Sequence, residues 1–263
     1  EQEKAALLSR KQELYRSANR HDLPLLPPGQ KIEVYRKLFR GRQDVYAVRW
    51  QSSGGRSGYA VACANEWMPG ICQKPRIKCG ECRHKNFKPL DFDAVYDHLS
   101  GKHVTGLYPL LPDSSCYLLA ADFDKGDWKA DVRALAQVCR GEGVPYLVEI
   151  SRFGAGAHLW VFFSEAVQAS SARRLGFKLL DKAMELHPGL SFDSYDRLFP
   201  NQDTMPDGGF GNLIALPLQH EARSRGCTVF VDDNFTPYPD QWELLSQQQT
   251  LSSAQLEELR GKE

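Results

Sequence analysis

The sequence has no excess of charge in either direction: 33 Lys and Arg face 33 Asp and Glu, a formal net charge of +0 at pH 7. A protein that holds nucleic acid or an anionic membrane by its overall field is basic, so that mode is excluded, while a local basic surface stays open. No run of about 18 apolar residues occurs, so no transmembrane helix is expected. No segment reads as a signal peptide, and the first residue is Glu1, as expected of an excised or processed domain. Evenly spread cysteines are lacking as well. Four of the seven crowd into residues 63–82, while Cys116, Cys139 and Cys227 sit among apolar neighbours. This usage excludes a secreted disulfide framework and points to a reducing cytosol, hence a cytoplasmic protein without a membrane partner. What is present is ordinary for a globular chain. There are 263 residues, 42% hydrophobic and 25% charged, enough for one large domain or a domain with a small appendage.

Local patterns divide the chain. Residues 5–19 carry Leu7, Leu8, Leu14, Tyr15 and Ala18 near helical spacing, and "LPLLPPGQ" ends that helix. Residues 44–50 alternate as a strand, and "SSGGRSG" at 52–58 is a loop. Residues 117–123 read as a strand. Residues 128–140 read as a helix, with Asp127 as N-cap and Gly141 just past its end. Strands at 145–151 and 158–163 flank the glycine turn "RFGAGA" as a hairpin. Residues 171–186 place Ala172, Leu175, Leu179, Ala183 and Leu186 on one helical face. Further strands are expected at 212–219, where Pro217 argues for an edge or bulge, and at 228–233. Ser252 and Gln255 open a C-terminal helix with a capping box.

The resulting order, β-α-β-β-α-β, is the ferredoxin-like split βαβ arrangement, an α+β fold in which the first strand lies centrally. That layout serves nucleic-acid-binding modules and polymerase palms alike, so it does not decide function. The expected organisation is an N-terminal helical segment (1–44), an α/β segment (45–105) with a cysteine knuckle at 59–88, the palm (106–246) and a C-terminal helix (247–263).

The anomaly lies in the first palm strand. "YLLAADFDKG", residues 117–126, places Asp122 and Asp124 in an otherwise apolar run. Residues i and i+2 share a strand face, so both carboxylates project together and repel unless a proton or cation lies between them. Oxygen ligands suit Mg²⁺ or Mn²⁺. The alternative is that the pair ends the strand and caps the next helix. The hairpin adds His158, at the start of the returning strand, and Gly154 and Gly156, which would let backbone approach a ligand. A third carboxylate, Asp193, precedes the expected last strand, with Asp196 and Asp203 as competitors and Arg197 as a possible phosphate contact.

Cys63, Cys72, Cys79 and Cys82 form C-x8-C-x6-C-x2-C. Four thiolates suit a tetrahedral structural Zn²⁺, with His84 as an alternative ligand. A redox C-x-x-C is the other reading, but the expected βαβ context is missing. Lys74, Arg76, Lys78, Arg83, Lys85 and Lys88 surround the cluster and suit nucleic-acid phosphates.

Together, "DFD" 122–124, "GAH" 156–158 and "FD" 192–193 resemble the three motifs of archaeo-eukaryotic primases. Longer strings, "FRGRQDVYAVRW", "CANEWMPGIC", "SYDRLFPNQD", "GFGNLIALPLQ" and "PYPDQWELL", look like the primase domain of TOTE conflict systems and CRISPR-associated primase-polymerases, over roughly residues 30–246. The resemblance implies a DNA primase-polymerase that joins NTPs or dNTPs on a single-stranded DNA template and primer. It implies that Asp122, Asp124 and Asp193 hold two Mg²⁺ or Mn²⁺ ions. His158 would contact the triphosphate, with the turn residues Ser151, Arg152, Gly154 and Gly156 beside it and Arg197 as a weaker contact. Some relatives carry Lys or Ser within that turn. Here those positions are Phe153 and Ala155, so Lys125 or Arg152 is expected to substitute. CRISPR or conflict-system proteins, or a fused helicase or nuclease, are the partners this resemblance suggests. A catalytically silent nucleic-acid-binding module and a metal-dependent phosphohydrolase are the alternatives. The first sits poorly with three retained carboxylates, and the second needs a water-activating base that the sequence does not display.

Overall fold

A computed structural model describes residues 26–189 and 192–261. The helix expected at 5–19 lies outside the described residues. Those residues form two antiparallel sheets and seven helices.

The larger sheet is built on β4 (Ser115–Asp124), which is followed by helix α3 (Trp128–Glu142). The hairpin β5 (Leu147–Ile150) and β6 (Gly156–Gln168) comes next, then α4 (Ala169–Leu186) and β7 (Tyr195–Phe199). With β9 (Phe230–Val231) the spatial order is β7-β4-β6-β5-β9, and the observed pairs are antiparallel. This is the ferredoxin-like order, with β4 flanked on both sides. Burial of both faces explains its apolar run. Leu119, Ala121, Leu159, Val161 and Leu198 meet Leu135 of α3 and Leu179 of α4 on one face. On the other, Phe39 stands edge-on to Trp160 and Phe162, with ring centroids 5.2 and 5.3 Å away. Phe39 follows α1 (Pro28–Leu38), which with α2 (Phe92–Ser100) covers part of that face.

Caps expected from sequence form. The Asp127 side chain accepts the Ala130 N–H. Ser252 and Gln255 bond reciprocally at the start of α7 (Ser253–Gly261). Helix α3 runs past Gly141 and ends at Gly143, whose φ is +71°.

The last palm strand is not the segment 212–219 that its apolar character suggested. β7 takes that place, and only Ile214–Ala215 is extended, as β8 of the smaller sheet. The reason is packing. Tyr35 Oη and the ring of His98 both bond the Pro217 carbonyl, at 2.7 and 2.9 Å, so this segment is an anchored core connection. β7 is an edge strand with Asp196 and Arg197 exposed, so it carries no apolar run.

The smaller sheet has the order β2-β1-β3-β8, with β1 Ala47–Gln51, β2 Ser57–Val61 and β3 Thr105–Leu107. It draws strands from both sides of position 105. Among the described residues no helix is long and apolar enough to cross a membrane.

Candidate active site

Cross-strand register assembles the site. His158 on β6 pairs with Asp122 on β4 and with Glu149 on β5, and Asp122 pairs in turn with Arg197 on β7. Side chains at paired positions share a face. The row therefore reads Glu149, His158, Asp122, Arg197, alternating in sign across four strands. His158 Nδ1 lies 3.0 Å from Glu149 Oε2, and its Nε2 lies 3.4 Å from Asp122 Oδ1. Trp160 Nε1 donates to the same Glu149 oxygen at 2.8 Å. Glu149 is 1% exposed, and a carboxylate at that depth needs partners of this kind.

Burial alone would lower the His158 pKa. The charge of Glu149 and the hydrogen bonds to Asp122 and Glu149 outweigh it and raise the value from 6.5 to about 10. The ring is thus an imidazolium at neutral pH. Its proton is held in the folded state and released from the unfolded chain above about pH 6.5. The stabilisation is therefore complete below pH 6.5 and is lost as pH rises towards 10, by up to about 1.4 kcal/mol per pH unit. Urea unfolding of metal-free protein between pH 6.5 and 9.5 is expected to show that slope. Glu149→Gln should flatten it, and equal slopes in both proteins would refute the pairing.

Asp124 lies two residues beyond Asp122 on the same face, with its side chain 53% exposed and Lys125 Nζ 3.9 Å away. Its N–H donates to the Ser194 carbonyl at 2.7 Å, which sets the Asp193–Ser194 segment beside the end of β4. The Ser194 hydroxyl is buried against Asp131 of α3 at 2.6 Å, whereas Asp193 is exposed. Of the competitors, Asp196 bonds Arg197 and Asp203 bonds Arg173, each at 2.6 Å. Arg197 thus faces Asp122 by register and is held by Asp196.

Residues of the glycine turn have separate duties. Gly154 has φ +75°, and its N–H donates to Ser151 O within the turn. A Cβ on Gly156 would meet Phe123 O at 2.3 Å. Gly156 therefore serves the close passage of β6 along β4. Arg152 lies against Tyr59 of the smaller sheet. Burial and the nearby Arg49 and Arg225 guanidinium groups lower its pKa. Its Nε has no hydrogen-bond partner, and among the described residues no carboxylate is ion-paired with Arg49, Arg152 or Arg225. Arg49 and Arg152 both stand near the exposed Phe153 ring, at 5.9 and 5.1 Å. Lys125 is 86% exposed and remains outside this cluster.

Glu149 and Arg49 carried no motif. Glu149 did carry a signal, because one Glu in the apolar strand "YLVEI" is the same anomaly as Asp122 and demands a partner. Arg49 had none, since only the approach of the two sheets brings β1 to the turn.

The four clustered cysteines line one small cavity of about 20 Å³ together with His84, and Cys63 Sγ accepts the Asn86 N–H at 3.4 Å. Among the described residues no three His, Cys, Asp or Glu side chains converge in metal-ligand geometry, at the cysteines or at the carboxylates. The donor types fit all the same: hard oxygens on β4 and beside it, soft thiols around the cavity.

The sequence model of the TOTE conflict system archaeo-eukaryotic primase domain matches residues 30–259. No curated protein matches the chain. A solved polymerase domain from Mycobacterium tuberculosis ligase D, in complex with DNA, is a distant likeness: 12% identical, TM-score 0.42, covering 89% of this chain and 84% of that one.

Proposed function

From the premise that the chain belongs to the archaeo-eukaryotic primase domain family of TOTE conflict systems, a primase-type nucleotidyltransferase family, we propose a template-directed activity. It joins NTPs or dNTPs on single-stranded DNA. One observation carries this reading: Asp122 and Asp124 end β4 opposite His158 and Gly156 of β6, and the turn that leads into β6 carries Arg152, near Arg49 and Arg225, none of which has a carboxylate ion-pair partner among the described residues. A polyanion that travels with divalent ions is the ligand such a divided site suits.

Asp122, Asp124 and Asp193 are the residues that would hold two Mg²⁺ or Mn²⁺ ions. Ions held by these carboxylates would supply charge neutralisation and alignment for attack of a 3′-hydroxyl on an α-phosphate. His158 presents an N–H donor beside Asp122 and is fixed in that pose by Glu149. Arg152 and Arg49 take phosphate charge at the turn, in the role that Lys or Ser serves in some relatives. Arg197 adjoins Asp122 and is a weaker contact. A silent binding module would have no use for the carboxylate strip, and a phosphohydrolase would need a water-activating base near it. Extension of a labelled primer on single-stranded template, with each nucleotide type and with or without Mn²⁺, tests the reading. Template-dependent products that need the metal are expected, and their absence would overturn it.

Cys63, Cys72, Cys79 and Cys82, which line one cavity, are the residues we propose would hold a structural Zn²⁺, on the chemistry of four thiols. Elemental analysis is expected to find one zinc per chain. A disulfide within the set, or fewer than three thiols protected from native alkylation, would refute it.

A further inference from the structure

Strand β1 has two functional faces, because successive side chains point to opposite sides. Arg49 and its cross-strand partner Tyr59 face the glycine turn of the palm. Val48 and Trp50 face the other way, into a groove of about 950 Å³ that includes neither the palm carboxylates nor His158. Its lining comes from β1, β2, the cysteine-bearing loop and α2 with the turn after it.

Two of the five tryptophans, Trp50 and Trp67, are 45% and 67% exposed on its walls. Large exposed indoles mark a surface with a partner. Both are held in place. Trp50 pairs with Gly58, and a Cβ there would meet the indole at 3.1 Å, so the ring lies on bare backbone with its other side free of the sheet. Trp67 has φ +60°, a conformation that bulky residues rarely adopt. Its ring lies 5.9 Å from Lys74 Nζ, which Glu66 holds at 2.8 Å.

Four of the six charged lining residues are cations. Lys74 and Lys102 are paired with Glu66 and Asp97, whereas Arg56 and Lys88 are exposed and no ion pair joins them to a carboxylate among the described residues. His103, stacked on Tyr46 at 6.2 Å, has a buried Nε2 with no hydrogen-bond partner.

We infer that this groove is a binding site for single-stranded nucleic acid, with Trp50 and Trp67 as stacking platforms for unpaired bases and Arg56 and Lys88 as phosphate contacts. Exposed aromatic rings interleaved with cations are how sequence-tolerant single-strand sites are built, and every base has a face to stack. A duplex keeps its bases stacked on one another and offers no face to an indole, so the groove discriminates against it. The strand is held on the side of the small sheet opposite Arg49, away from the chemistry.

The site is tested by fluorescence anisotropy with a fluorescein-labelled 20-mer of thymidylate, the same length of uridylate, and a duplex, without nucleotide or divalent metal. Both single strands are expected to bind more tightly than the duplex. Trp67→Ala should weaken them about tenfold or more, since one base–aromatic stack is worth about 1–3 kcal/mol. Trp50→Ala should do likewise, and Lys88→Glu should weaken binding and lower its salt dependence. The exposure of Trp67 makes its loss harmless to the fold, which thermal melting verifies. The inference falls if Trp67→Ala and Trp50→Ala bind within twofold of wild type, or if the duplex binds as tightly. It falls too if the substitutions alter self-association by sedimentation and leave oligonucleotide affinity unchanged, which would make a second copy the occupant. This deepens the primase reading yet is separable from it: a protein that extends primers with an inert groove overturns only the groove.

Discussion

Asp124→Asn is expected to lower nucleotide incorporation about 1,000-fold or more while leaving the melting temperature almost unchanged. About 4 kcal/mol of transition-state stabilisation corresponds to that factor, a reasonable loss when an ion ligand is replaced by an amide of the same size. The fold should not notice, because the Asp124 side chain is 53% exposed and its nearest cation is the exposed Lys125 at 3.9 Å; surface ion pairs of this type contribute little. Asp122→Asn is expected to cost activity as much but to differ in stability. Asp122 is 21% exposed and lies 3.4 Å from His158 Nε2, so its loss leaves a nearly buried imidazolium with one anionic partner instead of two. A lowered melting temperature for Asp122→Asn and an unchanged one for Asp124→Asn, with both proteins inactive in primer extension, is the full pattern. Near-wild-type extension by either variant would end the assignment of this pair to the ions.

Asp193→Asn is expected to slow extension roughly 100-fold or more, about 2.7 kcal/mol, with Asp196→Asn and Asp203→Asn much closer to wild type. The case rests on backbone geometry. The Asp124 N–H bonds the Ser194 carbonyl, so the residue before Ser194 is fixed next to the acidic strip. Ser194 is pinned to the helix layer through Asp131, which holds this short segment in register. Asp196 and Asp203 bond Arg197 and Arg173, and neither lies in the segment that the Asp124 N–H bonds. Steady-state extension at saturating Mn²⁺, with folding checked by circular dichroism, decides it. Normal extension by Asp193→Asn together with failure of Asp196→Asn would move the third ligand to β7.

Neighbouring residues and short periods were enough to determine much of this protein. The β5–β6 hairpin follows from two apolar runs around a glycine turn, the caps at Asp127 and Ser252 from side chains that bond backbone three residues on, and the shared face of Asp122 and Asp124 from the two-residue repeat of a strand. Those features are local, so local sequence encodes them. The identity of the last palm strand was not local. An exposed edge strand such as 195–199 has no reason to be apolar, while 212–219 is apolar because it is buried between helices and bonded through the Pro217 carbonyl. Strand register alone placed Glu149, His158, Asp122 and Arg197 in one row, and the meeting of the two sheets alone brought Arg49 to Arg152. Charges distant in sequence become one site only when packing sets them side by side, and that contact energy is carried by the fold and not by any short stretch of the chain.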